Sequence, residues 1–329
     1  MSYDDSQIHL LNKVREYIKK NESLGVDTAS SSLCYFPTWT NDPGLQKLKT
    51  WRYGKIKTIN YFKYILRNLL STAKYSKFSL VCNKELQGFE KIVLSFATKK
   101  SFLKDGSFTD RLLNINSKRY KNLIWFLVSS DNYIPNNLDD NIYILIRKKD
   151  STLNHLIFFI KIISLVLFRE RFSFKKFLHQ ILCDSVYSNI VANNFLKVLK
   201  KNKIKLIFMP YEGQPFNNKV SEISKNYKKS IKIIGYHSAV PPLPTNMIFR
   251  KGAPDKLIIS GQDQYFYLNN YLNWDKSRLK ILPSLRFREN SEKKLNNYVF
   301  LPYVIFNFEK IIFLFEKFLN IKDKEMHYY

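Results

Sequence analysis

The chain has 329 residues, 45% of them hydrophobic and 25% charged, enough for one large or two ordinary domains with a full core and too apolar for a disordered chain. Its 54 Lys and Arg against 27 Asp and Glu give a formal charge of +27, which fits a lysine-biased composition or a face drawn to an anionic membrane leaflet. No RNA- or DNA-binding motif accompanies that charge, so nucleic acid is not an expected partner. Cys34, Cys82 and Cys183 are far apart and odd in number, which excludes a disulfide framework and a metal-ligand spacing and points to the cytosol.

In chain order, residues 6–20 predict an amphipathic helix, without the uninterrupted apolar core of a signal peptide. A loop rich in Ser, Thr, Pro and aromatics follows (TASSSLCYFPTWTNDPG), and residues 58–72 predict a second helix. Glu90–Ala97 is a strand candidate, and KKSFLKDGSFTDRLLN after it reads as a polar turn leading into a short helix. Leu123–Ser129 and Asn141–Arg147 are continuous apolar runs, the pattern of parallel strands covered on both faces. Leu153–Lys201 reads as helical, divided near Ser173 or Asp184. Its most apolar run, Leu156–Phe168, is interrupted by Lys161 and falls short of the ~20 residues a bilayer span needs. It is either a buried core helix or, since RERFSFKK follows it, a helix seated on a membrane surface.

The segment from Ile204 to Arg286 carries the clearest signal. Three short β-rich apolar runs each end in a polar turn, and the first and third turns are followed by helix-like segments, the alternation of a parallel α/β sheet. Ligands of such sheets bind beyond the carboxyl ends of the strands, where Glu212, Gln214, His237 and Ser238 fall. In PYEGQP, Gly213 permits a sharp turn between Pro210 and Pro215, presenting Tyr211, Glu212 and Gln214. A carboxylate there can take a proton from a sugar hydroxyl, or it can cap the next helix. His237 suits general-base work or a phosphate contact, or serves as a hydrogen-bonded structural residue. Asp255 and Gly261 read as structural, and Ser284 and Arg286 follow the fourth run. Arg286 can fork onto phosphate or carboxylate, or stand solvated before a linker. No metal site, Gly-rich phosphate loop or nucleophile elbow is visible.

Beyond Arg286 a charged connector, RENSEKKLNN, leads to one strand candidate and one amphipathic helix, which cannot bury their apolar faces alone. The expected division is therefore 1–287 as the main domain and 288–329 as a linker with the first strand–helix unit of a second, incomplete domain, or a small addition docked onto the first.

YEGQPF, GYHSAVPPL, PDKLIISG and LPSLRF, with KDGSFTDRLLN and its Arg111 upstream, together resemble a bacterial surface-carbohydrate biosynthesis family of the GT-B glycosyltransferase type, akin to sialic-acid and capsule sugar transferases. The resemblance covers most of residues 30–290. It implies two Rossmann-like domains facing across a cleft, the N-terminal one for the acceptor and the C-terminal one for a nucleotide sugar. It makes Glu212 and His237 the residues for acceptor activation, and Tyr211, Gln214, Ser238, Ser284, Arg286 and Arg111 substrate contacts, with no cofactor or metal. The implied partners are a glycan or lipid-linked acceptor and an anionic membrane surface, and the implied place is the cytoplasm, peripheral at the inner membrane. Two features depart from the family: Phe216-Asn217 stands where an aromatic-acidic pair is expected, and most of the donor domain is missing after Lys322, which makes a truncated or split relative, inactive alone, the other expectation. The alternatives are a noncatalytic scaffold or membrane-surface protein of the same pathway and, further off, a sugar-nucleotide epimerase.

Overall fold

The computed structural model describes residues 5–23, 29, 78–147, 160, 183–237 and 247–285, all within the compact unit Met1–Arg288. The predicted helix over 58–72, the first half of the helical region 153–201, the proposed second domain over 288–329, and the site candidates Ser238 and Arg286 lie outside the described residues.

Helix α1 (Asp5–Ser23) is followed by strands β1 (Phe78–Val81), β2 (Lys91–Ala97), β3 (Thr109–Asp110), β4 (Ile115–Asn116), β5 (Ile124–Ser129) and β6 (Ile142–Arg147). Then come α2 (Cys183–Lys201), β7 (Leu206–Pro210), α3 (Pro215–Tyr227), β8 (Lys232–Tyr236), β9 (Lys256–Ile259), α4 (Gln262–Tyr271) and β10 (Leu279–Ile281). The main sheet runs β1-β6-β5-β2-β7-β8-β9-β10, with β3 and β4 forming a separate hairpin. In the main sheet every pairing is parallel except that of β1 with β6. The chain is thus α/β with a Rossmann-like, largely parallel sheet.

Taken in chain order, the parallel strands lie third, second, first, fourth, fifth, sixth, seventh across the sheet. The strand order therefore reverses between β2 and β7. The connections change face at the same place. Phe108, Leu113 and Leu138, from the links β2→β5 and β5→β6, pack on one face with Trp125, Leu127 and Ile144. Phe216, Val220, Tyr267 and Leu268, from α3 and α4, pack on the other with Ile207, Met209, Ile233 and Leu257, joined by Phe195 of α2. Reversing both direction and face gives the two halves the same hand, as the strong rule for parallel crossovers requires. Alternate residues of the buried strands serve the two faces, so β5 reads as an unbroken apolar run, Ile124–Val128 being buried throughout. Phe126 meets Phe195 of α2 edge-on at 5.1 Å, a geometry that adds to simple area burial.

The segment after β2 forms no α-helix, contrary to the sequence expectation. A 3-10 turn, Lys99–Ser101, leads into the β3–β4 hairpin. Short acidic side chains take the backbone instead: Asp105 Oδ1 accepts from Ser107 N (3.0 Å), and Asp110 Oδ1 accepts from Leu112 N (2.8 Å) and Leu113 N (2.9 Å). Such local bonds compete with helix formation. Gly106, at φ +83, fixes the hairpin against the next loop, since a Cβ there would lie 1.2 Å from the Asn137 carbonyl oxygen. Strand β1 was not expected either. Four residues at a sheet edge, all partly buried, show neither alternation nor a long apolar run. Among the described residues, no helix is long and apolar enough to cross a membrane.

Candidate active site

The point where a doubly wound sheet reverses its strand order opens a crevice at the carboxyl ends of the two central strands, and ligands bind there. Here that point lies between the tips of β2 and β7, where one connection leaves for each face.

On the β7 side the ladder runs one residue past the strand, with Tyr211 N donating to Tyr236 O at 2.8 Å. Glu212 follows, and Gly213, in the left-handed region at φ +67, turns the chain into α3, whose N-cap is Gln214 with Pro215 next. This places Tyr211, Glu212 and Gln214 in one turn at the switch point. Pro suits the first helical turn, where its missing N–H leaves no bond unmade. Phe216, buried at the start of α3, meets Phe96 of β2 edge-on at 5.3 Å, tying that helix to the other central strand.

A buried polar network holds the turn from behind. The Arg250 side chain is 4% exposed, and its Nη2 donates to Gly213 O at 3.4 Å. With the Asn218 amide oriented to satisfy both its neighbours, Asn218 Oδ1 accepts from Arg250 Nη2 (2.9 Å) and Nε (3.2 Å) while Nδ2 donates to the Tyr211 hydroxyl (2.7 Å). Tyr211 is fully buried, and burial raises its phenol well above its ordinary pKa, so it is a neutral group enclosed behind the turn. Gly252, at φ +84, lets this loop close on α3, because a Cβ would come within 2.3 Å of the Asn218 carbonyl oxygen. Lys251 and Lys219 bind the buried Glu222 at 2.5 and 2.8 Å and fasten the same loop to the helix.

Glu212 is partly buried. Burial raises its carboxyl pKa, with a hydrogen bond from Gln214 opposing the shift. His237, 1% exposed, sits at the tip of β8 with its backbone N donating to Ile258 O (2.9 Å). Its Nδ1 lies 3.2 Å from Tyr211 O. A carbonyl can only accept, so Nδ1 carries the hydrogen and Nε2 of the neutral ring is an acceptor. That Nε2 is buried without a partner among the described residues. Burial lowers the His237 pKa to about 4, opposed by the bond to Tyr211, and the ring is neutral at physiological pH. Gly235 allows this packing, because a Cβ there would be 2.8 Å from the Tyr211 Cβ.

On the β2 side, Thr98 caps the 3-10 turn that carries Lys99 and Lys100, both exposed. Lys99 N donates to Asp131 Oδ2 at 2.7 Å, and Arg111, from the hairpin, donates through Nη2 to Lys100 O at 3.3 Å. Arg111 therefore belongs to the switch point although it is distant in sequence from Glu212. Ser284 lies past β10, but the chain turns back there, and Leu285 N donates to the Tyr236 hydroxyl at 3.0 Å. Lys99, Lys100, Arg250 and Asn218 escaped the sequence reading. The two lysines stand out only once the strand order is known, and nothing local separates Arg250 from a surface arginine.

The chain matches no protein-family model, and no curated protein matches it. Among the described residues no cluster of His, Cys, Asp or Glu could hold a metal ion.

Proposed function

We propose that the chain is a glycosyltransferase of GT-B type in bacterial surface-polysaccharide biosynthesis (capsule, O-antigen or lipopolysaccharide), its described part being the acceptor-side domain. The observation that carries this reading is Glu212: a carboxyl with a raised pKa, partly buried, at the strand tip where the sheet reverses. A general base works best with a pKa near the operating pH, and raising a carboxyl toward neutrality is the ordinary means. Glu212 takes the proton of an acceptor hydroxyl as that oxygen bonds to the anomeric carbon of a nucleotide-activated sugar, and the nucleotide leaves with the electron pair of the broken bond. Gln214 steadies the carboxylate. His237, enclosed and with a pKa of about 4, is a weak base at neutral pH. Its part is to hold the Tyr211 carbonyl and offer Nε2 as a hydrogen-bond acceptor. The reading asks for no metal or organic cofactor, and it places Ser238, Ser284, Arg286 and Arg111 along the substrate path.

The acceptor is a glycan or lipid-linked glycan, and the +27 charge suits work at the cytoplasmic face of an anionic inner membrane. The same charge favours the rival reading, a noncatalytic scaffold at that surface. Transfer assays with a panel of nucleotide sugars separate the two. The enzyme reading expects transfer by a version carrying both domains, resistance to chelators, and a loss of about a hundredfold or more on Glu212→Gln in that version. Unchanged turnover in both Glu212→Gln and His237→Ala would remove the assignment.

A further inference from the structure

We propose that the tip of β2 is a diphosphate-binding site formed by Lys99, Lys100 and Arg111, facing Glu212 across the switch point. In the first crossover of a doubly wound sheet, the helix that follows the first strand ordinarily aims its positive N-terminal end at a bound phosphate. This chain has no helix there. The β2→β5 connection is the 3-10 turn Lys99–Ser101 followed by the β3–β4 hairpin, so side-chain cations occupy the place of the helix end. Lys99 and Lys100 are consecutive and exposed, and Arg111 is brought to them by its bond to Lys100 O at 3.3 Å.

The supporting frame is fixed rather than loose. Asp131 accepts from Lys99 N (2.7 Å) and Tyr133 N (3.2 Å), spending its carboxylate on the backbone of two adjacent strand tips. Asp110, 3% exposed, accepts from the Ser95 hydroxyl of β2 and from Leu112 N and Leu113 N just after Arg111, which anchors the hairpin to the strand. None of the three cations joins an ion pair among the described residues, whereas Lys118, Lys201 and Lys205 nearby in sequence or sheet are each matched to a carboxylate. Lys99 Nζ lies 5.8 Å over the Tyr133 ring, which leaves its charge unneutralised. Three cations without an ion pair among the described residues, one of them able to fork onto two oxygens, suit a dianionic or trianionic phosphate group. The crevice partner across from them, Glu212, carries the proton-accepting role, so a phosphate bound at β2 would lie beside the reacting hydroxyl.

The identity of the diphosphate as part of a transferase substrate rests on the proposed function, while the existence of the site does not. Its source is either a free nucleoside diphosphate or the headgroup of a diphosphate-linked lipid acceptor. Calorimetry on the full chain with inorganic pyrophosphate and with uridine diphosphate, and flotation with neutral vesicles doped with a polyprenyl diphosphate, separates these. We expect pyrophosphate to bind and to bind less tightly as ionic strength rises. We expect Lys99→Gln/Lys100→Gln/Arg111→Gln to weaken it by at least about tenfold, given the strength of charge-assisted bonds. Lys99→Gln/Lys100→Gln, which keeps Arg111 in place, should give an intermediate loss if the triple variant folds poorly. Neutralising Lys200, Lys203 and Lys228, exposed at the amino ends of β7 and β8, should leave binding intact. Uridine diphosphate binding that depends on the three residues supports the nucleotide source, and vesicle binding that depends on them supports the lipid source. Failure of all three probes to bind, or equal weakening by the amino-end control, overturns the site. Transfer activity without this binding breaks the present inference alone, and this binding without any transfer breaks the transferase reading alone.

Discussion

The two halves of the sheet are built by different means. In β7–α3–β8 and β9–α4–β10 the chain follows the regular plan of strand, helix and next strand, with Gly213 making the turn out of β7. From β2 to β6 it replaces helices by a 3-10 turn, a two-stranded hairpin and a loop that cover the opposite face. The regular half supplies a carboxyl and an enclosed histidine, and the irregular half supplies cations on short, acid-pinned turns. The hairpin reaches back to the tip of β2 and delivers Arg111 to Lys100. In the proposed reading, proton transfer falls to the regular half and charge recognition to the half whose backbone departs from the fold's usual path.

The contrast can be broken first at Glu212. Glu212→Gln should lower transfer by about 10²–10⁴-fold while leaving stability at neutral pH unchanged or raised. The sign follows from the raised pKa: a carboxyl whose folded pKa lies above its unfolded value favours the fold at low pH and loses that contribution as pH rises through the folded pKa. At neutral pH the charge therefore works against the fold, and removing it does not weaken the domain. Unfolding in denaturant with and without the substitution checks this beside the transfer assay.

Arg250→Met strips the regular half of its internal pin. Leaving Gly213 O and the Asn218 amide buried without their guanidinium should cost about 2–4 kcal/mol in denaturant unfolding. Asp110→Ala does the corresponding damage to the irregular half, freeing Ser95, Leu112 N and Leu113 N, and should cost about 1–3 kcal/mol. Its diagnostic mark is selective: faster hydrogen exchange across residues 95–116 with the β7–β8 region unchanged.

Acidification should discriminate the halves without mutation. The His237 pKa falls from 6.5 unfolded to about 4 folded. A depressed pKa gives stability that is full above the unfolded value and is lost as pH drops through the folded one. At about 1.4 kcal/mol per pH unit, His237 alone should account for a loss of about 3 kcal/mol between about pH 6.5 and pH 4. His237→Phe should flatten that slope, and a pH slope identical to that of the natural chain would contradict the buried, neutral ring. The smallest effect is expected at the exposed pair of Lys205 and Glu90, where Lys205→Ala should leave the unfolding midpoint unchanged, as is usual for surface ion pairs.

Much of the regular half was legible in the sequence, because each strand there is a short apolar run closed by Pro or Gly and each helix has an apolar stripe. PYEGQP was read as a turn at a strand tip, and Gly213 at φ +67 shows why: the sharp departure into α3 needs a residue that tolerates the left-handed region. The irregular half was harder. KKSFLKDGSFTDRLLN has helix-compatible spacing of Phe102, Leu103, Leu112 and Leu113. The decisive bonds, from Asp105 and Asp110 to the backbone, compete with a helix only when Gly106 can dock under Asn137. Strand order is a long-range property, so nothing near Lys99 reveals that it borders the same crevice as Glu212. Burial is equally nonlocal: Arg250 and Asn218 look like ordinary polar residues until Tyr211 and the α3 turn enclose them.

The central claim is that ligand binds in the crevice between the tips of β2 and β7. Hydrogen–deuterium exchange of the full chain, with and without the nucleotide sugar that gives the largest thermal shift, tests it most directly. The account predicts slowed exchange in peptides covering residues 97–102, 109–113 and 211–216, with no change at 228–233 on the opposite end of the sheet. Protection confined to residues outside these tips, with 97–102 and 211–216 exchanging as in the free protein, would contradict it.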